Sequence, residues 1–109
     1  MKTIITLGSN CQQEQNIHKA QIRLRQTFPG INFTKEEWTE PIGIVSDRFL
    51  NCMGSFETSY PLEYIQTCLK EIEIELGDSH ENHQQGIVLI DLDLICYGDK
   101  KFKEVIWQK

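Results

Sequence analysis

Leu62, Ile65, Leu69, Ile72 and Leu76 recur at alternating three- and four-residue steps, the spacing that gathers side chains on one face of an α-helix. Pro61 suits the first turn of that helix and Gly77 its end. A second run of helical period, Ile17, Ala20, Leu24 and Phe28, predicts a helix over residues 12–28 that Pro29-Gly30 terminates. Elsewhere the period falls to two. Residues 3–7 (TIITL) predict a strand that runs into the turn Gly8-Ser9-Asn10, and residues 31–38 predict a weaker one around Ile31, Phe33 and Trp38. In a strand over residues 49–58, Leu50, Cys52, Gly54 and Phe56 face one way and Phe49, Asn51, Met53 and Ser55 the other. Thr39-Glu40-Pro41-Ile42-Gly43 reads as a turn or loop, and residues 78–85 (DSHENHQQ) as a polar loop. A long final strand is predicted over residues 86–97. Gly98-Asp99 then turns the chain into a lysine-rich tail with a short apolar segment, Val105-Ile106-Trp107.

The predicted order is β-α-β-β-α-β. Its natural solution is an α+β fold, a ferredoxin-like sandwich in which an antiparallel sheet carries both helices on one face. The other face is then open to solvent or to a ligand. At 109 residues the chain is expected to form one domain.

Composition narrows the function. With 39% hydrophobic and 25% charged residues, a soluble globular protein is expected rather than disorder. The formal net charge of −5 argues against nucleic acid and anionic membranes, whose binding draws on a positive surface. No run approaches the roughly 18 apolar residues of a membrane span, and the N-terminal apolar stretch is too short for a secretory signal. A cytoplasmic location is the expectation. Cys11, Cys52, Cys68 and Cys96 lack metal-site spacing and read as reduced, mostly buried thiols.

The final strand raises the sharpest question. Within Leu89-Ile90-Asp91-Leu92-Asp93-Leu94-Ile95, Asp91 and Asp93 share one face with Ile87, Leu89 and Ile95, while Val88, Ile90, Leu92, Leu94 and Cys96 face the helices. Two readings stand: carboxylates solvated on an outer face, or a site for a hard cation such as Mg²⁺, which takes one or two protein carboxylates and shares its remaining positions with phosphates. Phe49 and Asn51 also share a face, an aromatic surface beside an amide. That pair suits a flat heterocycle, or equally a cross-strand packing pair. His80 and His83 flank Glu81 in a polar loop, where solvent exposure is the plainer reading than a metal clip. The amides of Gly8-Ser9-Asn10 can face an anion, as a weak signal. His18 has nothing near it to mark it out, and Trp38 and Trp107 read as packing residues.

These pieces occur together and in order. "LGSN" (7–10), "TEPIG" (39–43), "FLN" (49–51), "IEIELG" (72–77) and "IDLDLICYG" (90–98) resemble the corresponding stretches of the 6-hydroxymethyl-7,8-dihydropterin pyrophosphokinase family. That family moves a pyrophosphoryl group from ATP to a pterin alcohol in the folate pathway. The resemblance covers nearly the whole chain and implies a ferredoxin-like core with an open-face active site. It further implies pterin and ATP as ligands, with Mg²⁺ as cofactor. By the same resemblance Asp91 and Asp93 are the metal-binding, catalytic carboxylates, Phe49 stacks on the pterin ring and Asn51 bonds its edge. Thr39, Glu40 and Ile42 complete the pterin pocket.

The chain departs from that family on the ATP side. Where the resemblance implies arginines after the second helix and before the aspartate strand, with a tryptophan nearby, it has Asp78, Val88 and Gln85. It also ends at Lys109, before the family's C-terminal segment. Only Lys100, Lys101, Lys103 and Lys109 are then left to compensate. Guanidinium clamps on a polyphosphate are worth orders of magnitude in rate, so weak or absent pyrophosphokinase activity is expected. The alternatives are a non-catalytic module for a pterin-like ligand or partner protein, and a homo-oligomer formed through the open sheet face.

Overall fold

The computed structural model describes residues 1–41 and 46–105. Its elements are β1 (Lys2–Ser9), α1 (Gln13–Thr27), β2 (Asn32–Phe33), β3 (Glu37–Thr39), β4 (Phe49–Glu57), α2 (Leu62–Glu75), α3 (His80–Gln84), β5 (Asp91–Tyr97) and β6 (Lys100–Lys101). The sheet order is β2-β4-β1-β5-β6, with β3 also pairing to β4, and every pairing is antiparallel. This is the ferredoxin-like arrangement, with the β2/β3 stretch acting as the second strand of the pattern.

Alternation builds the core. Ile5 and Leu7 of β1, Leu50, Cys52 and Phe56 of β4, and Leu92 and Leu94 of β5 are buried against the apolar stripes of the two long helices. Those stripes are Ile17, Ala20 and Leu24 on α1 and Ile65, Leu69 and Ile72 on α2. The opposite residues of β1, β4 and β5 form the other sheet face. Gly77, at φ 93°, ends α2 in the left-handed conformation, and the Asp78 N–H bonds back to the Glu73 carbonyl at 3.0 Å. That turn aims Asp78 at the start of β5.

Four expectations change. The strand expected over 31–38 is two short strands, because the Thr34 hydroxyl accepts the Met53 N–H at 2.9 Å and takes a ladder position between them. The loop expected over 78–85 contains α3, which Ser79 caps by accepting the Asn82 N–H at 3.1 Å. The last strand begins at Asp91 instead of 86. Upstream of it, Asn10 grips residues 86–88: its Oδ1 accepts the Val88 N–H at 2.6 Å and its Nδ2 donates to the Gly86 carbonyl at 2.8 Å. Finally, Ile95 is an extra residue in β5, since Ile4 and Ile5 of β1 pair with Cys96 and Leu94. Beyond this bulge the alternation shifts, and Tyr97 packs on the core in the place that strict alternation gives to Cys96.

Candidate active site

The site begins with a glycine. Gly8 of β1 is paired with Asn51 of β4 on one side and with Asp91 of β5 on the other. Adjacent strands lie about 4.8 Å apart, so the amide and the carboxylate flank Gly8 on the same sheet face. A Cβ at Gly8 would lie 3.1 Å from Asn51 Oδ1 and 3.7 Å from Phe49 Cδ2. The missing side chain is therefore the floor of a cavity of about 260 Å³, walled by Phe49 and Asn51 on one flank and Asp91 and Asp93 on the other. The tail residues 103–105 close its outer edge.

Each wall is held in place. Asn51 is buried, and its Nδ2 donates to Thr39 Oγ1 at 2.7 Å and, at 3.5 Å, to the Glu37 carbonyl. A backbone carbonyl can only accept, so this contact sets the amide orientation. Asn51 Oδ1 then faces Gly8, with no hydrogen-bond partner among the described residues. It is an acceptor offered to the cavity. On the opposite flank, burial is the main cause that lifts the Asp91 carboxyl to a pKa of about 7, and the neighbouring Asp93 adds to it by charge and by a shared hydrogen bond. Glu73 raises it further, and Lys103 opposes. The Glu73 carboxylate accepts the Leu92 N–H at 2.8 Å, and burial is the largest cause that raises its own pKa.

The structure thus brings Thr39, Phe49, Asn51, Asp91 and Asp93 together. Glu40 is exposed and does not line the cavity, and Ile42 lies outside the described residues, as do Trp107 and Lys109. Trp38 is 44% exposed, with the Arg48 guanidinium 5.0 Å above its ring, so it is not the packing residue expected. His83 bonds Asp78 at 2.6 Å and His80 meets Gln84 at 3.2 Å, and no cluster of three or more metal-ligating side chains occurs among the described residues. The Asn10 N–H donates to the Val88 carbonyl at 2.9 Å, which removes it from any anion site.

The profile of the 7,8-dihydro-6-hydroxymethylpterin-pyrophosphokinase (HPPK) family matches residues 4–107. The chain belongs to the HPPK family. It is also 30% identical over 120 residues to a folate synthesis bifunctional protein of Arabidopsis thaliana. The match takes in 99% of this chain, which spans about a quarter of the length of that relative (25%).

At the three positions where the resemblance implies arginine or tryptophan, the residues present have other contacts. The Asp78 side chain, 6% exposed, accepts the Leu89 N–H at 3.1 Å and the Ile90 N–H at 3.5 Å. Val88 is buried, its backbone bonded to Asn10, and Gln85 is exposed at the end of α3. None of the three lines the cavity. Two residues that the sequence marked only loosely do: Gly8, read there as part of an anion-facing turn, and Lys103, read there as one of four tail lysines, whose Nζ lies 2.8 Å from Asp93 Oδ1. The Gly98-Asp99 turn was the available signal for Lys103, since a hairpin there returns the tail alongside β5.

Proposed function

We propose that the cavity is a pyrophosphoryl-transfer site, in which ATP with Mg²⁺ on the aspartate flank donates to the alcohol of a hydroxymethyl-pterin held on the Phe49 flank. The observation that carries this reading is the shared cavity: an aromatic and an amide acceptor on one side of Gly8, two carboxylates on the other. The donor set fits Mg²⁺, being hard oxygen ligands of which one is desolvated and crowded by its neighbour. When bound, Mg²⁺ supplies charge neutralisation and orientation for the polyphosphate. The chain's own residues do the rest by positioning. Phe49 stacks on the heterocycle, and the Oδ1 of Asn51 accepts from the ring's N–H edge. Thr39 keeps that amide turned toward the cavity. Fixed in this way, the hydroxymethyl arm points across Gly8 toward the polyphosphate for in-line attack, a reaction that positioning and electrostatics largely drive. The free thiols Cys11, Cys52, Cys68 and Cys96 suit a reducing, cytoplasmic setting.

Turnover is slow in this reading, because Lys103 is the only cation among the described residues lining the cavity. Incubation with ATP, Mg²⁺ and 6-hydroxymethyl-7,8-dihydropterin, followed by chromatography of AMP and the pyrophosphorylated pterin, tests it. Mg²⁺-dependent product is expected below the usual range of about 1–10³ s⁻¹, and Asp91→Asn is expected to abolish it. Pterin binding without product would instead favour a non-catalytic ligand-binding module. Product formation that Asp91→Asn leaves intact would contradict the assignment of the site.

A further inference from the structure

Among the described residues lining the cavity, Asp91, Asp93 and Glu104 are carboxylates and Lys103 is the single cation; Glu73 and Lys70, paired at 3.8 Å, line the adjoining groove with Asp93 and Lys103. A polyphosphate entering this cavity meets repulsion from every charged side chain but one among the described lining residues. The placement of Lys103 follows from the fold. β6 pairs with Cys96 and Tyr97, and the Phe102 N–H then bonds the Ile95 carbonyl at 2.7 Å, which draws the tail back along β5 toward the aspartates. Lys103 Nζ reaches Asp93 Oδ1 at 2.8 Å, yet its side chain stays 56% exposed. It is a tethered cation at the mouth of the cavity, with room to change partner. Of the described residues, the other two tail lysines differ: Lys101 pairs with Glu104 at 2.9 Å, and neither Lys100 nor Lys101 lines the cavity.

We propose that Lys103 is a polyphosphate-binding residue of this chain, held on Asp93 while the site is empty and transferring to a phosphate oxygen when metal and nucleotide enter. The inference rests on the pyrophosphoryl-transfer reading of the cavity. It assigns to this half-exposed ammonium the positive charge that faces the polyphosphate among the described lining residues. At the α2–β5 junction Asp78 is bonded to the Leu89 and Ile90 N–H groups, and no residue of α2 or α3 lines the cavity.

Calorimetry on the full chain and on Lys103→Ala and Lys103→Arg tests it with three probes: Mn²⁺ alone, a non-hydrolysable ATP analogue with Mg²⁺, and 6-hydroxymethylpterin alone. Lys103→Ala is expected to weaken the analogue by about tenfold or more, the scale of a lost charge-assisted hydrogen bond. Lys103→Arg is expected to restore most of that affinity. Pterin affinity should stay at the wild-type level, and Mn²⁺ alone should bind Lys103→Ala at least as tightly as wild type, because a competing cation has gone. Equal analogue affinity in Lys103→Ala and wild type overturns the inference. So does a parallel loss for all three probes, which marks Lys103 as a structural tether. Wild-type protein that takes up pterin but no analogue overturns this inference alone. Wild-type protein that takes up neither overturns the site reading along with it.

Discussion

Burial first, and then the charge of Asp93, hold the Asp91 carboxyl near a pKa of 7, far above its ordinary 3.8. The sign of the stability effect follows from which state keeps the proton. Below about pH 4 the carboxyl is protonated whether the chain is folded or not, and no penalty arises. Between pH 4 and 7 the folded chain keeps a proton that the unfolded chain has released. The metal-free protein is therefore expected to lose stability as pH rises through this window and to level off above 7. Thermal melts from pH 4.5 to 8 check this. Asp91→Asn should flatten the profile and melt higher than wild type at pH 8. At the same scale, Gly8→Ala places a methyl 3.1 Å from Asn51 Oδ1, on the floor of the cavity. Gly8 does not adopt a left-handed φ, so the backbone tolerates alanine. Titration should find pterin affinity reduced by about tenfold or more, with the melting temperature little changed.

At the scale of elements, the junction between α2 and β5 decides whether the aspartates are presented at all. Asp78 satisfies the Leu89 and Ile90 N–H groups just before β5, and Glu73 satisfies that of Leu92. Asp78→Ala strands buried donors, and about 1–3 kcal/mol of stability is expected to be lost, read from urea midpoints. Asp78→Arg is expected to destabilise similarly and bring no gain in nucleotide affinity, because the side chain at position 78 is turned to the backbone of residues 89 and 90. Much of this architecture was legible. The three- and four-residue steps from Leu62 to Leu76 and the alternation from Phe49 to Phe56 each reflect one buried face, and the structure keeps both. α3 was not legible because its five residues, HENHQ, bury no apolar side, leaving Ser79 as the lone local signal. The Ile95 bulge is set by the register of β1, a partner some ninety residues away in sequence, and no local pattern encodes it. Of the site, Phe49, Asn51, Asp91 and Asp93 were legible as same-face pairs on two strands. That one cavity joins them depends on Gly8 lying between those strands.

For the whole molecule, the net charge of −5 and the carboxylates around the cavity predict that nucleotide binds only together with a divalent cation. The charge pattern was legible in the sequence. The role of Asp78 was not, because a carboxylate turned toward backbone N–H groups and one turned toward a ligand have the same local sequence. The contact of Lys103 with Asp93 likewise depends on a hairpin closing the chain on itself. The central claim is that a single cavity holds a heterocycle and a metal-bound polyphosphate side by side. It is tested most directly by titrating 6-hydroxymethylpterin into the protein, first alone and then with saturating Mg²⁺ and a non-hydrolysable ATP analogue. The account predicts binding in both titrations, tighter in the second because the two ligands share one site. Pterin binding that is absent, or that metal and analogue leave unchanged, would contradict it.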